Sequence, residues 1–250
     1  MAAYAPRMPP ARDRPDPNTA ASACAVVLVH GWGGSFAATW QRSGFTDLLV
    51  DAGREVIGVD LLGHGTAPKP HDADAYCDLT ARVVAALPDR PVDAIGFSLG
   101  AHTLLRTAIA DPGRFRRLVL AGIGRNVFET DQEMTQRVVA AIEGAGDPDD
   151  NVARLFARYA SQPGNDPVAL AAIMRCRTAA DCLTERDLTG VRCPVLVIVG
   201  DSDFVLPADR LVAALPDATL RILRRTDHFA TPESFEFIDA ALEFIDAVPR

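Results

Sequence analysis

No stretch of the chain reaches the roughly 18 consecutive apolar residues that a membrane-crossing helix needs, so no transmembrane anchor is expected. The N-terminal stretch carries Arg7, Arg12 and Arg14 but no apolar core segment, which argues against a secretory signal. Cysteine is scarce and unpatterned. Cys24, Cys77, Cys176, Cys182 and Cys193 are odd in number, form no CxxC pair, and share no spacing with histidine that reads as a zinc site. They are expected to be buried thiols in a reducing compartment, which makes the cytoplasm the expected location. Positive charge is also in deficit. Lys and Arg total 25 against 33 Asp and Glu, a net charge of −8, so no general field draws nucleic acid or an anionic membrane. Neither is expected as a partner.

What the chain has is apolar mass. With 48% of 250 residues hydrophobic, it can bury the core of one α/β domain with a modest insertion, rather than two separate domains. Residues 1 to about 22, with Pro6, Pro9, Pro10, Pro15 and Pro17, read as an extended or disordered leader, because proline removes a backbone donor and fixes φ. The domain follows over 23–250. Short β-branched runs predict strands near 25–29, 55–59, 92–95, 117–121, 194–199 and 219–223. Helical spacing predicts helices near 43–52, 75–87, 101–110, 208–215 and 232–247 between and after them. This alternation implies a mostly parallel, doubly wound sheet covered on both faces. It stops over about 125–190, where the pattern is helical only, near 129–143, 151–160 and 167–177. That segment is expected to be a helical cap above the C-terminal edge of the sheet.

The rest of the chain is organised around Gly96-Phe97-Ser98-Leu99-Gly100. A Gly-x-Ser-x-Gly between a strand and a helix is the pattern of a nucleophile elbow. So sharp a reversal leaves no room for a β-carbon on either flank, and it lifts the Ser98 hydroxyl clear of the sheet at a helix N-terminus. The bland alternative is a small-residue turn for close helix–sheet packing.

A serine hydroxyl needs a base to take its proton and a third group to orient that base. His228 is the expected base: it follows the last strand and is the only histidine in the C-terminal half. His102, on the helix after Ser98, is expected to pack or face solvent. The acid should follow the strand ending at Gly200, where Asp201 and Asp203 both stand. Asp203 is favoured, because Asp201 follows the strand too closely to reach the histidine loop. An aspartate there can also simply shape the turn through local amides. Asp227 should point elsewhere if His228 points inward. For a developing oxyanion, the backbone N–H groups of Leu99 and of Trp32, in His30-Gly31-Trp32-Gly33, are the expected donors. The Trp32 indole is also a candidate wall of the substrate pocket, or a cover for the end of the sheet.

The order Ser98, Asp203, His228, with His-Gly-Trp-Gly after the first strand and Asp60-Leu61-Leu62-Gly63-His64-Gly65 after the second, resembles the α/β-hydrolase superfamily from about residue 24 to the end. The resemblance implies a Ser-His-Asp hydrolase with a lid between the strands near 121 and 194, Ser98 as nucleophile, Asp203 as acid, His228 as base, and Trp32 and Leu99 as oxyanion donors. It gives His64 a structural role in its loop. One departure is visible: members usually begin with an antiparallel hairpin, and none is legible in the leader, so fewer strands are expected at that edge. Serine at position 98 argues against dehalogenase-like and epoxide hydrolase-like members, which carry aspartate there. The loop and short cap look most like small carboxylesterases, including methyl-ester hydrolases of cofactor biosynthesis.

The expected activity is therefore cleavage of a small carboxylic ester through an acyl-enzyme, with no metal or organic cofactor. Carbon–carbon bond hydrolysis, enol-lactone or thioester cleavage by the same residues is the alternative. A receptor-like binding protein with little turnover is the rival of another class. Met134, Val138, Leu155, Phe156, Tyr159, Ile173 and Met174 are expected chiefly as the cap's own core. Arg125, Arg154, Arg175 and Arg177 are expected on solvated faces, although each could meet a substrate carboxylate.

Overall fold

The structure, a computed structural model, describes residues 24–176 and 182–249. The proline-rich leader and Arg177 lie outside them. Six strands form one sheet: β1 (Val26–Val29), β2 (Val56–Val59), β3 (Val92–Phe97), β4 (Phe115–Ala121), β5 (Val195–Gly200) and β6 (Ala218–Leu223). The strand order is β2-β1-β3-β4-β5-β6, with every neighbouring pair parallel. Among the described residues no antiparallel strand precedes β1.

β1, β3 and β5 are buried along their whole length, as a parallel sheet covered on both faces requires. Because side chains alternate, each strand feeds two cores. On one face Val27, Ala94, Leu118 and Val197 pack with Leu104 and Leu105 of α3 (Leu99–Ala110), Val83 of α2 (Thr80–Ala86) and Leu211 of α8 (Asp209–Ala214). On the other, Leu28, Ile95, Val119 and Ile198 meet Phe45 and Leu49 of α1 (Phe45–Asp51) and Phe237 of α9 (Phe235–Phe244). Trp40, Phe45 and Phe237 form an aromatic cluster there with centroids 5.4 to 6.1 Å apart.

Several helices differ from expectation, three of them for a clear local reason. The one predicted from 43 begins at Phe45, because Gly44 sits at φ 77° and breaks it from the turn Ala37–Gln41. The one predicted over 75–87 divides into a single turn, Ala73–Tyr76, and α2. Asp78 restarts the chain by accepting from the Thr80 amide and hydroxyl at 2.8 and 2.6 Å. The last divides likewise into Thr231–Glu233 and α9, with Pro232 in the short first turn. The cysteines need a correction as well. None is in a disulfide, but only Cys193 is buried, while Cys77 is exposed and Cys24, Cys176 and Cys182 are half-buried.

At the opposite edge of the sheet from the strand C-termini, Asp93 at the start of β3 is fully buried. It pairs with the buried Arg54 and, at 2.6 and 3.0 Å, with Arg116. Arg54 also donates to the carbonyls of Cys24 and Ile245, both at 2.8 Å, and so ties the start of β1 to the end of α9. Between β4 and β5 the chain runs through α4 (Gln132–Ile142), α5 (Asn151–Ala160), α6 (Pro167–Cys176) and α7 (Glu185–Leu188). α4 packs on α5 and α6, and α6 rests on the turn Ala73–Tyr76. No helix among the described residues is long and apolar enough to cross a membrane.

Candidate active site

The C-terminal ends of β1, β3, β5 and β6 deliver four loops to one place. Strand order reverses between β1 and β3, and open α/β sheets offer a crevice at such a point. Ser98 stands there at φ 49° and ψ −111°, left-handed backbone that a non-glycine residue rarely adopts. A β-carbon on Gly96 would come within 2.7 Å of the Ala101 nitrogen, and one on Gly100 would drive into the backbone of Val29 and His30. The two glycines thus allow the turn that sequence reasoning assigned to them. The Ser98 amide bonds the Ala121 carbonyl at 2.8 Å and holds the turn against β4.

The structure brings Ser98, His228 and Asp203 together although they are far apart in the chain. Ser98 Oγ lies 3.0 Å from His228 Nε2, and His228 Nδ1 lies 2.9 and 3.0 Å from the two Asp203 oxygens. Asp203 and His228 are both buried. An ionised carboxylate only accepts, so Nδ1 carries the proton and the Nε2 lone pair faces the serine hydroxyl. The Val205 amide donates to Asp203 Oδ1 at 3.0 Å and fixes the carboxylate plane. Phe97 and Phe204 flank the imidazole, with centroids 5.0 and 4.4 Å from it. Asp201 is turned away and accepts from the amides of Arg225 and Thr226 at 2.9 and 3.2 Å. Asp227 is occupied within its own turn, accepting from the Ala230 amide at 2.9 Å.

Leu99 is the first residue of α3, so its N–H has no carbonyl within the helix. Gly31 brings the other loop close: a β-carbon on it would lie 2.7 Å from the Phe97 ring and 3.4 Å from Ser98 Cβ. No hydrogen bond among the described residues uses the Trp32 amide. Its direction is set by His30, a residue given no role from sequence. The buried His30 accepts the Leu61 amide at Nε2 (3.1 Å), so Nδ1 is the donor to the Gly31 carbonyl (2.7 Å). With that carbonyl held, the N–H on the far side of the same planar peptide points away from His30. A histidine between a buried strand and a glycine was the available signal. Burial keeps His30 below its ordinary pKa. His64, buried 4.9 Å away and bonded through Nδ1 to the Leu62 carbonyl, is pushed down to about 3 by burial and by His30 beside it. His102 is buried on α3 rather than solvent-facing.

Above Ser98 and His228 lies a cavity of about 700 Å³, also lined by Trp32, Leu99, Phe156 and Phe204. Trp32 stands as a wall: its indole donates to the Leu170 carbonyl of α6 at 3.1 Å and packs on Phe156 at 5.6 Å. Met134, Val138, Ile173 and Met174 line the cavity with Phe156, although Val138 is buried and Ile173 also packs with Ala160, Leu170 and Ala172 in the insertion's own core, as expected. Tyr159 packs instead on Trp32 and Phe229, loop residues of the sheet domain, and so joins the insertion to it. Leu155 is part-exposed on the far side of α5, away from this cavity. Among the four arginines, Arg125 lines the cavity, as does Arg106 of α3. Arg175 pairs with Glu143, and Arg154 donates to the Pro148 carbonyl at 3.1 Å.

The sequence matches the profile of the alpha/beta hydrolase family over residues 26–241. It is 31% identical to a pimeloyl-[acyl-carrier protein] methyl ester esterase of Methylococcus capsulatus, over 79% of this chain and 81% of that protein. It is 28% identical to a 2-hydroxy-6-oxononadienedioate/2-hydroxy-6-oxononatrienedioate hydrolase of Cupriavidus pinatubonensis, over 85% and 83%. In fold it resembles the 2-hydroxy-6-oxo-6-phenylhexa-2,4-dienoate hydrolase of Rhodococcus sp. strain RHA1, with a TM-score of 0.68 and 20% identity across 90% of this chain and 91% of that one.

Proposed function

The chain belongs to the alpha/beta hydrolase family and is a hydrolase, and from that premise we propose that it cleaves a small carboxylic ester through an acyl-enzyme formed on Ser98. The observation that carries this reading is the unbroken run of hydrogen bonds from Ser98 through His228 to Asp203 at the base of a cavity whose wall includes Trp32, Phe156 and Met174. The similarity to a methyl ester esterase supports it.

In the proposed reaction His228 Nε2 takes the Ser98 proton as the hydroxyl oxygen attacks the ester carbonyl. The negative charge that develops on the carbonyl oxygen meets the amides of Leu99 and Trp32. Asp203 stabilises the imidazolium and keeps Nε2 directed at the reacting atoms. His228 then protonates the departing alcohol, and water, activated by the same nitrogen, hydrolyses the acyl-enzyme. The helical insertion over about 125–190 acts as the cap, and its Phe156, Met134 and Met174 receive the acyl group. A small-molecule ester is the partner in this reading.

The test is hydrolysis of p-nitrophenyl esters from acetate to decanoate by the wild-type protein and Ser98→Ala side by side. Activity that disappears in the variant is expected, and equal activity in both would sink the mechanism. A second reading is carbon–carbon bond hydrolysis of a vinylogous diketone acid. The likeness to a 2-hydroxy-6-oxononadienedioate hydrolase and the place of Arg125 on the cavity wall favour it. Turnover of a ring-cleavage product with no turnover of any ester would select it.

A further inference from the structure

Two of the five cysteines meet at the rim of this cavity. Cys77, just past the turn Ala73–Tyr76, and Cys176, the last residue of α6, stand 99 positions apart in the chain, yet their sulfurs are 3.7 Å from each other. Both line the cavity that holds Ser98 and His228. The elements that carry them are already docked. Tyr76 packs with Leu170, Ala172 and Ile173 of α6, and His71 pairs with Asp166 just ahead of α6 at 2.9 Å. A disulfide needs the sulfurs at about 2.05 Å, so closure asks the two sulfurs to approach by less than ~2 Å. Cys77 is exposed, which gives an oxidant access to one sulfur of the pair.

We infer that Cys77 and Cys176 form a reversible dithiol–disulfide site that clamps the helical insertion to the rim of the sheet domain and restricts entry to the cavity. The oxidant is a low-molecular-weight disulfide. The Cys77 thiolate attacks one of its sulfurs, expels one thiolate and forms a mixed disulfide. The Cys176 sulfur then attacks the Cys77 side of that bond and expels the second thiol. Two protein thiols and one small disulfide become one protein disulfide and two small thiols, so atoms and electrons balance. In the reduced protein α6 can lift from the loop at residue 77; in the oxidised protein it cannot.

The chain carries two tryptophans: Trp40 is fully buried and Trp32 lines the cavity, so acrylamide quenching of fluorescence reports entry to the cavity whether or not the protein turns over an ester. The experiment exposes the wild type, Cys77→Ser and Cys176→Ser to oxidised glutathione, then measures intact mass, peptide maps, melting temperature and quenching, before and after dithiothreitol. The expected wild-type result is a loss of about 2 Da with a Cys77–Cys176 cross-linked peptide. A melting temperature higher by about 5 °C or more should accompany it, from closing a loop of this length. Quenching should weaken, and every change should reverse on reduction. Neither variant should cross-link or change its quenching, and Cys176→Ser, which lacks the resolving thiol, should retain glutathione on Cys77 until it is reduced. Glutathione retained on Cys77 of the wild type with no cross-link would overturn the site, and a cross-link that leaves quenching unchanged would overturn its control of entry.

Discussion

Replacing Asp203 by asparagine is the sharpest probe of the proposed reaction, because the surrounding atoms dictate how the new side chain must sit. The Val205 amide points at Oδ1 from 3.0 Å and can only donate, so the carboxamide oxygen must occupy that place. The NH₂ then falls where Oδ2 stood, 2.9 Å from His228 Nδ1. That group also donates, so Nδ1 must become the acceptor and the imidazole proton must move to Nε2. Nε2 would then face Ser98 Oγ, 3.0 Å away, as a donor and could no longer take the hydroxyl proton. A wrong tautomer of this kind costs about 10⁴-fold in kcat, or roughly 5.5 kcal/mol of transition-state stabilisation. The two side chains are nearly isosteric, so the melting temperature should stay within a few degrees of the wild type. The assay is kcat and kcat/KM on p-nitrophenyl acetate, with Asp201→Asn as the control. Asp201 only ties down the Arg225 and Thr226 amides, so its variant should keep activity within about tenfold. A loss below about tenfold for Asp203→Asn, or an equal loss for Asp201→Asn, would refute the assignment of the orienting acid.

Two further predictions concern stability. His30 and His64 are held neutral by burial in the folded chain but titrate near their ordinary value of 6.5 once unfolded. The unfolded state therefore binds more protons below that pH, and stability falls as pH drops from 6.5 towards about 3. His64 alone should remove about 2 kcal/mol by pH 5, and equal urea midpoints at pH 7.5 and 5 would contradict this. Asp93→Asn leaves the buried Arg54 without its counter-charge and should cost about 3–5 kcal/mol in chemical denaturation. It should leave the rate per folded molecule unchanged, because Asp93 sits at the far end of β3 from Ser98. A cost under about 1 kcal/mol would show that Arg54 finds sufficient partners in the two carbonyls it already contacts.

Much of the architecture was legible because it follows from local regularities. A fully buried parallel strand is a short β-branched run whatever surrounds it, so β1, β3 and β5 stand out along the chain. The elbow was legible for a similar reason: the bar to a β-carbon at Gly96 comes from the backbone of Gly100 and Ala101, within a few residues of Ser98. Helix limits were less so. Gly44 and Asp78 break and restart segments through one backbone angle or a pair of hydrogen bonds, which a helical spacing pattern averages away. The preference for Asp203 over Asp201 rested on reach along one loop, and the geometry of that loop is what turns Asp201 to the Thr226 amide.

Chain order and residue type determined by themselves that this is a doubly wound hydrolase with a helical insertion, and which side chains were candidates for chemistry. Only the tertiary structure decided what those side chains touch. His30 became the residue that aims the Trp32 amide because β1 and the loop after β2 end side by side. Apolar residues of the insertion became cavity wall because α4 and α6, packed on each other, also settle over Ser98. Cys77 and Cys176, unremarkable 99 positions apart, became neighbours because α6 rests on the turn ahead of Cys77. Each is a contact between segments distant in the chain, and such contacts come from how packed elements meet, which no local pattern encodes.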